Sequence, residues 1–432
     1  MQLKNKTFCI VTLGCKVNLF ESNNLINQLI ELGCKQTPDV NKADLCIINT
    51  CCVTNKAVSK SKYFIQRAIR SNKTKLIAIV GCLSQLEPTL IKHPKVGIIL
   101  GSKYKDQLVD LIKQYANKLI MKVDPFNKQD KFEDLGLQLF KNNTRAFLKI
   151  QDGCDYMCSY CIIPFVRGRQ RSLPHTKVLK DIQELVQHGY HEIVLTGVNT
   201  AGYHDDANYH FYELLKDINE VKGDFRIRIS SIEPFQINHQ IIGLLASNPQ
   251  RWCKHLHICL QSGSDKILRE MKRRYTVEDF IALCEYARKQ IKNLAITTDL
   301  IVGFPTETVK EFNETIKNLL RIKFSNTHLF PYSSRPFTIA SKMKNIVSDT
   351  EKKKRFIALS KLNHQCQNQY LKQFIGKVVK IIFENSKDKD IQLGHSEYSF
   401  TVKVKGKRNL ATKIKLVKVT NLIGNQLFGR LA

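Results

Sequence analysis

Over residues 7–116, short apolar runs alternate with stretches whose apolar positions recur at helical spacing. Residues 8–12, 45–48, 76–80 and 96–100 read as strands. The first is followed by a helix that Asn18 can cap and Gly33 can end, the second by a helix near 56–70. This alternation predicts a parallel sheet covered by helices. A second series starts at Thr144, with strands expected at 147–151, 192–196, 225–230, 255–260, 295–302 and 326–330. Helical patterns at 178–188, 209–221, 267–272 with 277–291, and 310–322 separate them. A long polar helix is expected over 349–373, and residues 378–383, 399–404 and 414–419 alternate like strands of a small barrel. The expected fold class is α/β throughout the body of the chain. Its divisions are 1–116, a Lys- and Asn-rich linker over 117–143, a second α/β domain over 144–375, and a β-barrel over 376–432.

The longest apolar run, residues 76–83, is too short to span a bilayer, and the N-terminus shows no signal-peptide pattern. A cytoplasmic protein with no membrane association is expected. Its 68 Lys and Arg outnumber 38 Asp and Glu, a net charge of +30. Such an excess suits a polyanionic partner, nucleic acid ahead of membrane, although Lys- and Asn-rich genome composition would give the same bias. The final segment carries 12 Lys/Arg against 4 Asp/Glu, which makes it a candidate nucleic-acid module.

Fourteen cysteines in an unsecreted chain of this length indicate reduced thiols and metal ligation ahead of a disulfide framework. Cys154, Cys158 and Cys161 occupy one short loop at C-x3-C-x2-C spacing, directly after the strand-like run 146–150. Thiolates suit iron–sulfur clusters and zinc, but no second cysteine pair follows at zinc-finger distance. Three thiolates leave one iron of a four-iron cluster open. Gly153 and the small Ser159 allow the loop to wrap tightly. Cys15, Cys51 and Cys82 each fall just past the carboxyl end of an expected strand, the edge where open α/β sheets collect ligands. They can converge into a second three-thiolate site or be ordinary buried cysteines. Arg167, Arg169 and Arg171 alternate, which on an extended segment would put three guanidiniums on one side, either for an anion or simply solvated.

The loop 152–161, with Tyr160 just before its last cysteine, resembles the signature of the radical S-adenosylmethionine (SAM) enzymes. That resemblance implies a 4Fe–4S cluster on Cys154, Cys158 and Cys161, whose free iron is chelated by SAM as radical source, within a partial (β/α)6 barrel. Thr12-Leu-Gly-Cys15-Lys-Val-Asn18, Asn49-Thr-Cys51 and Val80-Gly-Cys82 are similar to the N-terminal motifs of the methylthiotransferase branch. By that resemblance Cys15, Cys51 and Cys82 hold a second 4Fe–4S cluster. The family usually has Thr at the position of Cys52 and more often Pro at that of Cys259; the latter is read as core packing, as are Cys9, Cys34, Cys46, Cys253, Cys284 and Cys366. Loop residues after the barrel strands match the family pattern and are expected to contact SAM as a set: Gly197, Asn199, Ser230, Glu233, Gln261 and Gly303, with Tyr160. The basic tail resembles the RNA-binding TRAM domain.

Within the branch, the chain is most similar to the enzymes that methylthiolate C2 of N6-threonylcarbamoyladenosine beside the tRNA anticodon. The expected partners are that tRNA and an electron donor such as flavodoxin or ferredoxin, with SAM serving as both methyl donor and radical source. The alternatives are methylthiolation of isopentenyladenosine in tRNA or of a ribosomal-protein aspartate, a non-catalytic iron–sulfur RNA-binding protein, and a zinc-stabilised binding protein.

Overall fold

The structure is a computed structural model that describes residues 2–137, 139, 144–205, 209–385, 388, 390–406 and 410–432. Two compact units emerge: Met1–Phe140 with Gln151–Leu173 and Ser333–Ser341, and Lys141–Ile150 with Pro174–Tyr332 and Lys342–Ala432.

The first unit is built on a six-stranded parallel sheet of β1 (Thr7–Thr12), β2 (Lys35–Gln36), β3 (Leu45–Thr50), β4 (Leu76–Gly81), β5 (Val96–Leu100) and β6 (Ile120–Lys122), in the order β2-β1-β3-β4-β5-β6. Its central strands are apolar on both faces, as burial between two helical layers requires. Alternate residues supply two cores. Leu45, Ile47, Ala78 and Val80 face Leu25 and Leu29 of helix Lys16–Glu31 on one side. Cys46, Ile48, Ile77 and Ile79 face Ile65 and Ala68 of helix Asn55–Arg70 on the other. Gly33, at φ +80°, ends the first helix, with Cys34 N–H returning to Leu29 O at 3.0 Å. Strand β6 lies within the segment expected as a linker; of that segment, Gln138 and Phe140–Asn143 lie outside the described residues.

The second unit holds six parallel strands in series: Ala146–Lys149, Glu192–Thr196, Arg226–Ile229 with Ser231–Ile232, His255–Ile258, Ala295–Val302 and Asn326–Pro331. The third strand breaks at Ser230 and passes from a three-stranded sheet into a four-stranded one. Helices between them include Val277–Gln290 and Val309–Ile322, each opened by a reciprocal Thr–acid capping box. The C-terminal strands close a five-stranded barrel in the order Val378–Phe383, Ile391–Ser396, Thr401–Lys405, Gln426–Leu431, Ile414–Ile423. Two of the five, Ile391–Ser396 and Gln426–Leu431, are absent from the sequence expectation. The first carries Gln, Gly, His and Ser among its six residues, and the second ends in Gly-Arg-Leu, so neither shows the Val/Ile-rich alternation of a strand. Phe374, at the end of helix Asp349–Lys372, plugs the barrel, its ring 4.6 Å from that of Phe400.

Glu192 is fully buried and holds two arginines of the next strand, Arg226 at 2.7 Å and Arg228 at 2.8 Å. Those guanidiniums also donate to the carbonyls of His395 and Ser396 in the C-terminal barrel, at 3.2 and 2.8 Å. The arginines hold the Glu192 carboxyl far below the usual carboxylate range against the opposing effect of burial. Glu192→Gln strips the charge from a buried cluster and is expected to cost about 3–5 kcal/mol in urea unfolding. Because a carboxyl so depressed is ionised throughout, the difference from wild type should stay constant between about pH 5 and pH 8. It should shrink progressively below about pH 4.5, where Glu192 of the unfolded chain takes up a proton that the folded carboxylate still refuses.

Candidate metal centres

Strands β1, β3 and β4 are immediate neighbours in the sheet, and each delivers a cysteine at its carboxyl end. Cys15 precedes helix Lys16–Glu31, Cys51 follows β3 directly, and Cys82 opens the short helix Cys82–Leu86. Gly14 sits at φ +98°, and a Cβ there would lie 2.7 Å from both the Cβ and the Sγ of Cys51, so only glycine lets the first two cysteine loops approach. The loops are pinned by polar side chains. Asn18 donates to Leu13 O at 2.7 Å and to Thr50 O at 3.0 Å, and Asn49 donates to Asn18 O at 3.1 Å. Ser61 takes the Cys51 N–H at 3.3 Å and donates back to Cys51 O at 3.2 Å. Asn18 is therefore not the cap expected from sequence: Cys15 holds the N-cap position, and Asn18 lies buried in the first turn.

Burial pushes the Cys51 thiol up to about 12, helped by the Cys82 thiol beside it, while the Arg167 guanidinium pulls the other way. A nucleophilic or redox-active thiol needs the opposite shift. Cys52 is fully buried in an apolar cluster with Cys82, Leu83, Ile162 and Val166, and burial raises its thiol too. Its carbonyl accepts from Arg335 at 3.1 Å.

The second cysteine loop belongs to the same unit. It lies between the short paired strands Gln151–Asp152 and Arg171–Ser172. Cys154 N–H bonds Gly168 O and Cys161 N–H bonds Cys158 O, each at 3.0 Å, so the first cysteine is tied to the returning segment and the last two share a tight turn. Tyr160 sits within that turn, and Ser159 O accepts from Ala340 N–H at 2.7 Å. Gly153 lies under the crossing chain, where a Cβ would fall 2.0 Å from Arg169 O.

Arg167 joins the two loops. Its side chain is fully buried; it bonds both oxygens of Asp152 at 2.9 Å, Glu21 at 3.1 Å and the Asn18 side-chain oxygen at 2.6 Å. Lys105, also fully buried, meets Glu21 at 3.3 Å. Two cations thus face two carboxylates, one reached from the Cys15 helix and one lying two residues ahead of Cys154. The expected row of three arginines on one side does not form. Arg167 ends helix Ile163–Arg167 and turns inward, the chain reverses at Gly168 (φ +69°), and Arg169 is exposed. Sequence reasoning missed this network. The legible signal was Asn18 and Glu21, polar residues three apart on the buried stripe of an otherwise amphipathic helix.

The donor chemistry of both loops fits four-iron clusters. Among the described residues, the three-donor group gathered within 4.8 Å, the spacing of a single ion, is His257, Cys259 and Asp299 and neither thiol triad. Models of protein families match the chain in two blocks: "Uncharacterized protein family UPF0004" over residues 7–101 and "Radical SAM superfamily" over 148–319. The threonylcarbamoyladenosine tRNA methylthiotransferase MtaB of Bacillus subtilis is 38% identical over 422 residues, covering 96% of this chain and 93% of that protein. The chain belongs to the radical SAM tRNA methylthiotransferases. A Thermotoga maritima MtaB is 38% identical over 394 residues, covering 91% of this chain and 90% of its own. A tRNA-2-methylthio-N(6)-dimethylallyladenosine synthase of Acetivibrio thermocellus is 32% identical over 432 residues, covering 97% and 89%. Among solved structures, the radical SAM methyltransferase TsrM of Kitasatospora setae aligns with TM-score 0.56 at 13% identity, covering 78% of this chain and 77% of that one, a likeness of fold. The methylthiotransferase is thus an enzyme that uses SAM and two 4Fe–4S clusters and acts on tRNA. Among its described residues no helix is long and apolar enough to cross a membrane.

The six residues of the second unit expected to contact SAM all lie at the carboxyl ends of its strands. Gly197 and Asn199 follow Glu192–Thr196, with Asn199 buried at the start of the turn Thr200–Gly202. Ser230 marks the break in the third strand, and its buried hydroxyl has no hydrogen-bond partner among the described residues. Such a hydroxyl fits a ligand that supplies the missing bond. The Glu233 carboxylate is taken up by Arg273, which also donates to Cys259 O at 3.3 Å. Burial raises the Glu233 carboxyl, and Arg273 opposes that shift. Gln261 adopts φ +69°, its N–H on Asp299 O and its carbonyl on Ile301 N–H, both at 2.9 Å. Gly303, at φ +70°, packs against the Lys352 side chain.

Removing Arg167 would take from Asp152 the buried cation that offsets its charge and leave Glu21 with Lys105 alone. Arg167→Gln is expected to lower the stability of the cluster-free chain by about 3–5 kcal/mol in urea unfolding. Adding Asp152→Asn should recover part of that loss, because the second change removes the buried carboxylate whose charge Arg167 had offset, whereas Glu21 keeps Lys105 at 3.3 Å.

Proposed function

We propose that the methylthiotransferase converts N6-threonylcarbamoyladenosine, 3′-adjacent to the anticodon, to its 2-methylthio derivative. The observation that supports this reading is the 38% identity to two MtaB relatives, above the 32–34% of the dimethylallyladenosine synthases and the 34% of a third MtaB, from Aquifex aeolicus. In this reading Cys154, Cys158 and Cys161 hold the cluster that binds SAM, and Cys15, Cys51 and Cys82 hold the auxiliary cluster. When bound, these groups supply a radical that removes the C2 hydrogen and the methylthio group that replaces it. That chemistry is the cofactors' own, since an adenine C2–H offers neither a usable acid nor a leaving group.

The chain's residues then position and insulate. The carboxyl ends of β1, β3 and β4 fix three thiols on one sheet edge, and Gly153 lets the other loop fold beneath its returning segment. Ser230, Gln261 and their neighbours offer hydrogen bonds to SAM. Exposed Lys380, Lys415 and Lys418 on the outer face of the C-terminal barrel supply charge for the tRNA backbone, with the reductant a small electron carrier such as flavodoxin or ferredoxin.

The test is nucleoside mass spectrometry after anaerobic turnover of the reconstituted enzyme with SAM, reductant and tRNA bearing either threonylcarbamoyl- or dimethylallyl-type adenosine. A methylthio product from the first alone is expected. Product from the second alone would overturn the substrate while keeping the reaction.

The division of labour has its own check. Cys15→Ala should abolish methylthiolation yet leave reductive SAM cleavage to 5′-deoxyadenosine, whereas Cys158→Ala should abolish cleavage. Loss of cleavage in a folded Cys15→Ala chain would refute the assignment.

A further inference from the structure

We propose that His257, Cys259 and Asp299 form a separate site for one zinc-class divalent cation, at the carboxyl ends of two neighbouring barrel strands. The geometry follows from strand register. His257 pairs with Thr297 across parallel strands, and Cys259 and Asp299 follow two residues along each chain, Cys259 just past the end of strand His255–Ile258. The nitrogen, sulfur and oxygen donors lie within 4.8 Å of one another, and His257 Nε2 is 3.4 Å from Asp299 Oδ1. Donors around a tetrahedral zinc stand about 3.5 Å apart, given bonds of about 2.0–2.3 Å, so small side-chain rotations close the set.

The ring is held at both nitrogens. His257 Nδ1 lies 2.9 Å from Thr297 Oγ1, which His255 Nε2 also meets at 2.8 Å; a His257 ring that donates there would present Nε2 as a ligand beside Asp299. A hydrogen bond on the far nitrogen is the usual companion of a ligating histidine. Cys259 is 7% exposed and Asp299 more open, which gives a soft ligand at the back and a path to solvent at the front. One thiolate, one imidazole and one carboxylate suit zinc better than magnesium or calcium, and three protein ligands leave a fourth position open. Cys259, read from sequence as core packing, is the member that makes the set three.

The site shares its strand edge with Ser230, Glu233 and Gln261: Gln261 N–H bonds the Asp299 carbonyl, and Arg273, the partner of Glu233, bonds the Cys259 carbonyl. A cation held there would oppose SAM at the same edge, a consequence that rests on the SAM contacts proposed above. Zinc would then inhibit the methylthiotransferase reversibly without disturbing its clusters.

The test uses the full chain with both clusters reconstituted, one equivalent of Zn2+, desalting, metal analysis and zinc-edge X-ray absorption. One retained zinc per chain, with a single sulfur among nitrogen and oxygen neighbours and unchanged iron, is expected. Cys259→Ala should weaken retention at least tenfold; Asp299→Asn, which keeps the size of the side chain, should do the same. Three or four sulfur neighbours would place the zinc on cluster cysteines and overturn the site, as would undiminished binding by Cys259→Ala. Zinc inhibition of SAM cleavage that Cys259→Ala relieves supports the functional consequence. Binding without inhibition would keep the site and refute that consequence.

Discussion

The arrangement of both cysteine loops depends on one buried guanidinium. Arg167 meets Asp152, Glu21 and Asn18 at once, in an interior where none of these groups can turn to water. A charge in that position persists only if every neighbour is placed to receive it, so the network over-determines its own geometry. It is also nearly neutral in sum, since Lys105 adds a second cation to the two carboxylates. Thiolates and the anionic clusters they hold would be unstable beside a net-negative interior. The same Arg167 that fixes Asp152 ahead of Cys154 draws down the Cys51 thiol against its burial.

A common strand-edge logic runs through both units. Parallel strands end together, and the loops leaving them converge whatever their separation in sequence. In the first unit Cys15, Cys51 and Cys82 meet in this way from neighbouring strands. In the second, the edge carries Ser230, Gln261 and the pair Cys259 and Asp299. Packing keeps these edges stiff: apolar side chains on both faces of β3 and β4 leave the strands no freedom to slide.

Much of this was legible because strand and helix periods are strong signals where cores are deep. Strands β1, β3, β4 and β5 of the first sheet and the six of the second unit appear within a few residues of their expected bounds, while the two-residue β2 and the three-residue β6 were not expected. Cys15, Cys51 and Cys82 could be placed at one edge from the expected strand ends, while their reading as one site came from the family motifs around them. The misreadings share a cause, which is polar side chains whose roles are tertiary. Asn18 looks like a helix cap but is spent on Leu13, Thr50 and Arg167. Arg167 looks like a surface arginine, yet its helix turns it inward to carboxylates, one of them distant in sequence. Strand Ile391–Ser396 lacks the apolar alternation of a strand, and barrel closure pairs it all the same.

Spacing, more than donor type, separates the metal chemistry this chain can support. A cluster holds its thiolates farther apart than a single ion does, because iron and sulfide fill the space between them. The loops that carry the two cysteine triads are tied by backbone hydrogen bonds and share a buried ion-pair network. His257, Cys259 and Asp299 stand close together, on and beside adjacent strands whose register sets their separation. A four-iron cluster cannot enter a set of donors within 4.8 Å of one another. Rigid backbone therefore sorts soft metals by size before ligand identity acts.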